Sequence, residues 1–123
     1  MAKILVVEDD KILLNMYRVK FTHGGHEVQI AENGEDGLKL MKSFHPDLVL
    51  MDLMMPIMDG FTALKRAKAD DEIKNIPIII LTNLSQVEDV QQTLKIGAAD
   101  YIIKSNLTPA QVLEKIKPHL PTS

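Results

Sequence analysis

Residues 47–60 read Asp47-Leu48-Val49-Leu50-Met51-Asp52-Leu53-Met54-Met55-Pro56-Ile57-Met58-Asp59-Gly60. The apolar run from Leu48 to Met51 has no polar alternate, stops at an acid, and is followed by turn residues at Pro56 and Asp59-Gly60. A strand with one wet face alternates, whereas a strand covered on both faces does not, and such strands belong to parallel sheets under helices. Ile4-Leu5-Val6-Val7 and Ile78-Ile79-Ile80-Leu81 read the same way, and Tyr101-Ile102-Ile103 is a further short run. Val28-Gln29-Ile30-Ala31 alternates and suits an edge strand.

Helical patterns fill the intervals. The first is predicted from about Lys11 to Phe21, ended by Gly24-Gly25. Asn33 can cap a helix carrying Leu38, Met41 and Phe44, and a short helix after Asp59-Gly60 carries Phe61, Leu64 and Ala67. Ser85 with Glu88 predicts a capping box before Val87, Val90 and Leu94, with Gly97 as the stop. Thr108, Pro109 and Gln111 open a last helix with the stripe Val112, Leu113, Ile116 and Leu120. Strand and helix thus alternate five times, and right-handed crossovers then give a single open α/β domain over residues 1–123. Pro121-Thr122-Ser123 reads as a frayed end or the stub of a linker.

Composition agrees. A chain of 123 residues, 46% hydrophobic and 25% charged, is an ordinary globular mix. Size scaling gives a folded surface of roughly 6,600 Å², about a third of the extended chain's. The absence of cysteine excludes disulfides and thiolate metal sites. No apolar run reaches membrane-spanning length, and the start is too short for a signal peptide, so a cytoplasmic location with no membrane contact is expected. The net charge of −3 argues against direct nucleic-acid binding.

Each buried run ends in a polar residue: the first in Glu8-Asp9-Asp10, the third in Asp52, the fourth in Thr82 and the fifth in Lys104. In open α/β sheets the functional crevice lies beyond the carboxyl ends of the strands, so these groups should share one rim. Crowded carboxylates repel unless a cation lies between them, and oxygen donors without His or Cys favour a hard ion, Mg²⁺ or Mn²⁺. The metal, Lys104 and Thr82 can each take one phosphoryl oxygen, and one carboxylate can act as nucleophile to form an aspartyl-phosphate. No glycine-rich phosphate cradle is present, which favours covalent attachment over a bound nucleotide.

These segments, together with Pro77-Ile78-Ile79-Ile80-Leu81-Thr82 and Gly97-Ala98-Ala99-Asp100-Tyr101-Ile102-Ile103-Lys104, resemble the receiver domain of two-component response regulators along the whole chain. The resemblance implies a flavodoxin-like, doubly wound five-stranded parallel sheet of order 2-1-3-4-5 with five helices. It implies a signalling switch rather than an enzyme with a free substrate. Asp52 would accept a phosphoryl group from a sensor histidine kinase or histidine phosphotransfer protein. Asp9, Asp52 and the backbone carbonyl of Met54 would hold Mg²⁺ directly, and Glu8 through water. Lys104 would pair with the phosphoryl group, Thr82 would be the switch hydroxyl, and Tyr101 the aromatic that turns with it. The surface of the fourth strand and helix and the fifth strand and helix would then meet an output protein or a C-terminal output domain. The fourth and fifth helices would form the dimer face, if the chain dimerises.

Three departures stand out. Ser105 follows Lys104 where the family usually has a proline in a cis bond, so the isomer of that peptide is open. Asn83 replaces a very small residue after Thr82, at a position that gates access to the phosphoryl group. Met54 and Leu84 occupy positions that tune hydrolysis and cannot orient a water, which predicts a long-lived phosphoryl state. The rival to the switch is a degenerate receiver used for docking or dimerisation alone. A Mg²⁺ phosphohydrolase fits less well, because its Asp-x-Asp nucleophile follows the first strand, where this chain has Glu8-Asp9-Asp10. The simpler readings are that Asp10 caps the first helix, that the methionines fill core and loop, that Lys65, Arg66 and Lys68 form a solvated helix face, and that the four histidines lie on the surface.

Overall fold

The computed structural model describes residues 2–121. Its strands are β1 (Lys3–Val7), β2 (Glu27–Ala31), β3 (Leu48–Met51), β4 (Ile78–Thr82) and β5 (Asp100–Ile103). They form one parallel sheet of order β2-β1-β3-β4-β5. The helices are α1 (Lys11–His23), α2 (Gly34–Phe44), α3 (Gly60–Lys68), α4 (Val87–Ile96) and α5 (Pro109–Ile116). This is the expected flavodoxin-like α/β fold, with the alternating strand β2 at an edge. The accessible surface, 6482 Å², agrees with the size expectation.

Alternate residues of each central strand enter two cores. Ile4, Val6, Leu48, Leu50, Ile79 and Leu81 face Leu14, Tyr17 and Phe21 of α1 and Val112, Leu113 and Ile116 of α5. Leu5, Val7, Val49, Met51, Ile78 and Ile80 face Met41 of α2 and Ala63, Leu64 and Ala67 of α3. All the residues of β3 and β4 are buried, which is why those runs do not alternate.

Most helix starts are as expected. Asp10 caps α1 by accepting from the Ile12 and Leu13 amides, Asn33 caps α2, and Asp59 caps α3. Thr108 and Gln111 make the capping box of α5. The box expected at Ser85 does not form. Gln86 is the cap residue of α4 and makes no side-chain cap bond, so Glu88 falls one position short of the place from which it could reach back. α1 also runs past Phe21 to His23 before Gly24 ends it. The histidines are not all surface groups. His23 and His45 are exposed, but His26 is partly buried and accepts the Ala2 amide at Nδ1, 3.1 Å away. His119 lies 3.5 Å from Asp100. Pro121 lies outside any element, while Thr122 and Ser123 of the expected frayed end lie outside the described residues. No helix among the described residues is long and apolar enough to cross a membrane.

Candidate phosphoryl-acceptor site

Strand register brings the scattered polar residues together. Val7 pairs with Met51, so the residues that follow them, Glu8 and Asp52, leave the sheet side by side. The Asp52 amide donates to the Val7 carbonyl at 3.0 Å, and the Glu8 amide to the Ala31 carbonyl at 3.0 Å. Thr82 pairs with Ile103, so Lys104 emerges one step beyond the switch hydroxyl expected at Thr82. The peptide after Lys104 is trans, as are all described peptide bonds.

Glu8 (3% exposed) and Asp52 (5%) are buried, and both face the Lys104 amine. Lys104 Nζ donates to Glu8 Oε1 at 2.5 Å and to Asp52 Oδ2 at 2.7 Å. Asp52 Oδ1 accepts the Leu53 amide at 2.7 Å and the Met54 amide at 3.3 Å. These bonds orient the carboxylate. The loop beyond it folds back closely. Gly60 N donates to the Leu53 carbonyl at 2.9 Å, and a Cβ at Gly60 would overlap the Asp52 carbonyl oxygen, so only glycine fits there. Ile57 in that loop holds φ 67°, a strained value for a β-branched residue.

The charges are unequal. Burial pushes the Glu8 carboxyl up to about 7, with Lys104 opposing and Asp52 adding to the rise. Burial also works against an ionised Asp52, but the Lys104 ammonium and the Thr82 hydroxyl outweigh it, and its pKa lies below the ordinary value. Lys104 pays for burial yet is raised by its two acids. Asp52 is thus ionised at neutral pH.

Glu8, Asp9 and Asp52 each offer a carboxylate oxygen within 4.8 Å of the others. Asp9 is exposed and borders a cleft with Met54, Pro56 and Phe61. This all-oxygen set, carrying up to three negative charges against one lysine, fits a hard divalent ion. Thr82 is buried at the end of β4 and accepts weakly from the Leu84 amide at 3.5 Å. Tyr101 is half-buried and donates its hydroxyl to the Leu84 carbonyl at 2.6 Å. Glu8, Asp9, Asp52, Thr82 and Lys104 therefore lie on one rim, while Tyr101 sits within β5 and reaches the adjoining loop through its hydroxyl.

Sequence reasoning missed two ties. Asn83 Oδ1 accepts from the Ser105 amide at 3.0 Å, joining the loop after Thr82 to the turn after Lys104. Lys68 donates to the carbonyls of Lys74 and Ile76 rather than lying free on the face of α3. Ser105 is 22 residues from Asn83, and the carbonyls that Lys68 reaches, six and eight residues on, are backbone groups with no mark in the sequence pattern.

The sequence matches the family model of the response regulator receiver domain over residues 4–117. It is 39% identical over 104 residues to protein PilH of Pseudomonas aeruginosa, covering 85% of this chain and 86% of that one. It is 36% identical over 104 residues to the transcriptional regulator RpaA of Synechocystis, covering 85% of this chain but 43% of RpaA. The chain spans less than half the length of several such curated relatives, 45% for AfsQ1 of Streptomyces coelicolor and 22% for AtoC of Escherichia coli. Among solved structures, the BeF3-activated N-terminal receiver domain of RstA from Klebsiella pneumoniae superposes with a TM-score of 0.87 at 30% identity, covering 98% of this chain and 99% of that one. Chemotaxis protein CheY4 of Vibrio cholerae gives 0.89 at 28% identity, covering 98% and 99%. The chain belongs to the response regulator receiver domain family, whose general function is phosphorylation switching in two-component systems.

Proposed function

We propose that this chain is a single receiver domain that accepts a phosphoryl group on Asp52 from the phosphohistidine of a sensor histidine kinase or a histidine phosphotransfer protein. Glu8, Asp9, Asp52 and the backbone carbonyl of Met54 would hold the divalent ion, Mg²⁺ or alternatively Mn²⁺. When bound, the ion supplies positive charge that offsets the acids and the phosphoryl oxygens. The observation that carries the reading is the convergence of Glu8, Asp52 and Lys104 in a buried ion cluster next to a third acid.

The chemistry follows from the residues. An Asp52 carboxylate oxygen forms a bond to phosphorus as the phosphorus–nitrogen bond of the donor breaks. The electron pair stays on the departing imidazole. The Leu53 and Met54 amides hold one Asp52 oxygen. Lys104 is already the cation between the acids, and it follows the charge onto a phosphoryl oxygen, a charge-assisted contact. Thr82 offers a hydroxyl to another oxygen. Because the Leu84 amide reaches Thr82 Oγ1 and the Tyr101 hydroxyl reaches the Leu84 carbonyl, a shift of Thr82 is felt at Tyr101. The surface of β4, α4, β5 and α5 then changes toward an output protein or an output domain, and it also offers a face for a homodimer. The domain promotes only its own phosphorylation and dephosphorylation. It acts in the cytoplasm, without membrane or direct nucleic-acid contact. Since Met54 and Leu84 carry no group that orients a water, the phosphoryl state is long-lived, and its decay with Mg²⁺ present is slower than in chemotaxis-type regulators.

Beryllofluoride tests the switch. The RstA receiver was solved in a BeF3-activated form. With Mg²⁺, beryllofluoride should shift the amide resonances of Asn83, Leu84 and Tyr101, and Asp52→Ala should abolish the shifts. No Mg²⁺-dependent response would favour a degenerate docking module instead.

A further inference from the structure

We infer that Asn83 is a positioning residue for Lys104: by accepting from the Ser105 amide it fixes the peptide that follows Lys104 and so aims the amine at Asp52. The inference rests on the phosphoryl-acceptor reading and adds a residue to it. Thr82 and Ile103 pair across β4 and β5, so Asn83 and Lys104 leave the sheet as neighbours. Lys104 opens a short 3-10 turn, Lys104–Asn106, which has no side-chain cap from its own preceding residue. The first amides of such a turn have no partner within it. Asn83 supplies one from another loop, with Oδ1 3.0 Å from the Ser105 nitrogen.

That peptide is where Lys104 can be steered. A lysine stem loses much rotamer freedom when its amine is held in one place, and here the amine must serve two acids that follow two other strands. Fixing the Lys104–Ser105 peptide plane limits the backbone rotation from which the stem departs. Asn83 and Ser105 therefore act as a matched pair. A proline at 105 would have no N–H to donate, and an alanine at 83 would have no oxygen to accept. The bond is one of two between the segment after β4 and the β5 side among the described residues, the other being Tyr101 to Leu84. Both Asn83 and Ser105 are exposed, so the effect is modest.

The test measures phosphoryl incorporation from acetyl phosphate with Mg²⁺, alongside hydrogen exchange of the Ser105 amide. Asn83→Ala should lower the maximal rate about threefold, the scale of one solvent-exposed hydrogen bond, with the half-saturating donor concentration unchanged. It should also speed Ser105 exchange, and Asn83→Asp, which keeps an acceptor oxygen, should restore the protection. If the native chain is labelled and Asn83→Ala is labelled as fast or faster, Asn83 is only a bulky gate and the inference is overturned. If the native chain takes up no phosphoryl group while Ser105 exchange still responds to Asn83→Ala, the phosphoryl-acceptor reading has failed, and the positioning role falls with it.

Discussion

α1 and α4 pack on the sheet in very different ways. α1 buries Leu14, Tyr17 and Phe21, and the Tyr17 and Phe21 rings pack tilted against each other at 5.8 Å between centroids. α4 buries a threonine, Thr93, as its one fully buried residue, while Val87 (63%) and Leu94 (45%) are exposed. The segment leading into α4 has no side-chain cap and hangs from the Tyr101 hydroxyl and the Asn83 amide group. The acid cluster sits between these two regions. One is a fixed wall and the other is fastened by a few polar bonds. A switch needs states separated by a few kcal/mol. Moving α4 loses polar bonds of about 1 kcal/mol each, whereas moving α1 would expose aromatic rings.

The contrast can be broken most directly at its strong end. Phe21→Ala should cost about 3–5 kcal/mol in denaturant unfolding; a loss below about 1 kcal/mol would mean that α1 is no better anchored than α4. The acid cluster should show itself in the pH dependence of stability without metal. Glu8 is raised from 4.5 to about 7, so between those values the folded chain keeps a proton that the unfolded chain has released. That contribution is full below 4.5 and is lost as pH rises through about 7, a fall on the order of 3 kcal/mol. Glu8→Gln should flatten the fall, and Mg²⁺ should reduce it by favouring the ionised acid. Asp52 runs the other way, its contribution present above 3.8 and lost at lower pH. A flat profile from pH 4.5 to 8 in metal-free buffer would contradict the burial argument for Glu8.

Smaller effects are expected at the weak end. Tyr101→Phe removes the bond to the Leu84 carbonyl and should cost about 1 kcal/mol, with faster amide exchange confined to residues 83–90. Exchange that rises equally in α1 would show the two regions to be one cooperative unit. Val87→Ala, on an exposed face, should change stability by less than about 0.5 kcal/mol. A larger loss would mean that α4 is packed more tightly than its exposure implies.

The same contrast explains what could be read from the amino acids. Uninterrupted apolar runs mark strands covered on both sides, and the residue ending each run marks the rim, so the sheet and Glu8, Asp52, Thr82 and Lys104 were all legible. Asn33, Asp59 and Thr108 cap their helices because cap and helix are neighbours in sequence. The cap position of α4 is Gln86, one residue past the Ser85 that the pattern suggests, without a side-chain cap that local sequence could mark, and the loop before it is tied to Tyr101, 17 residues from Leu84. The double contact of Lys104 with Glu8 and Asp52 spans separations of 96 and 52 residues, and only register across four strands, β1, β3, β4 and β5, brings it about. His26 looks like a loop residue until the Ala2 amide finds it.

The central claim is that Asp52 captures phosphorus within the acid cluster. Incubation of the native chain with acetyl phosphate and Mg²⁺, followed by intact-mass measurement, tests it most directly. The account predicts the added mass of one phosphoryl group on the native chain and none on Asp52→Asn. An unmodified native chain, or equal labelling of Asp52→Asn, would contradict it.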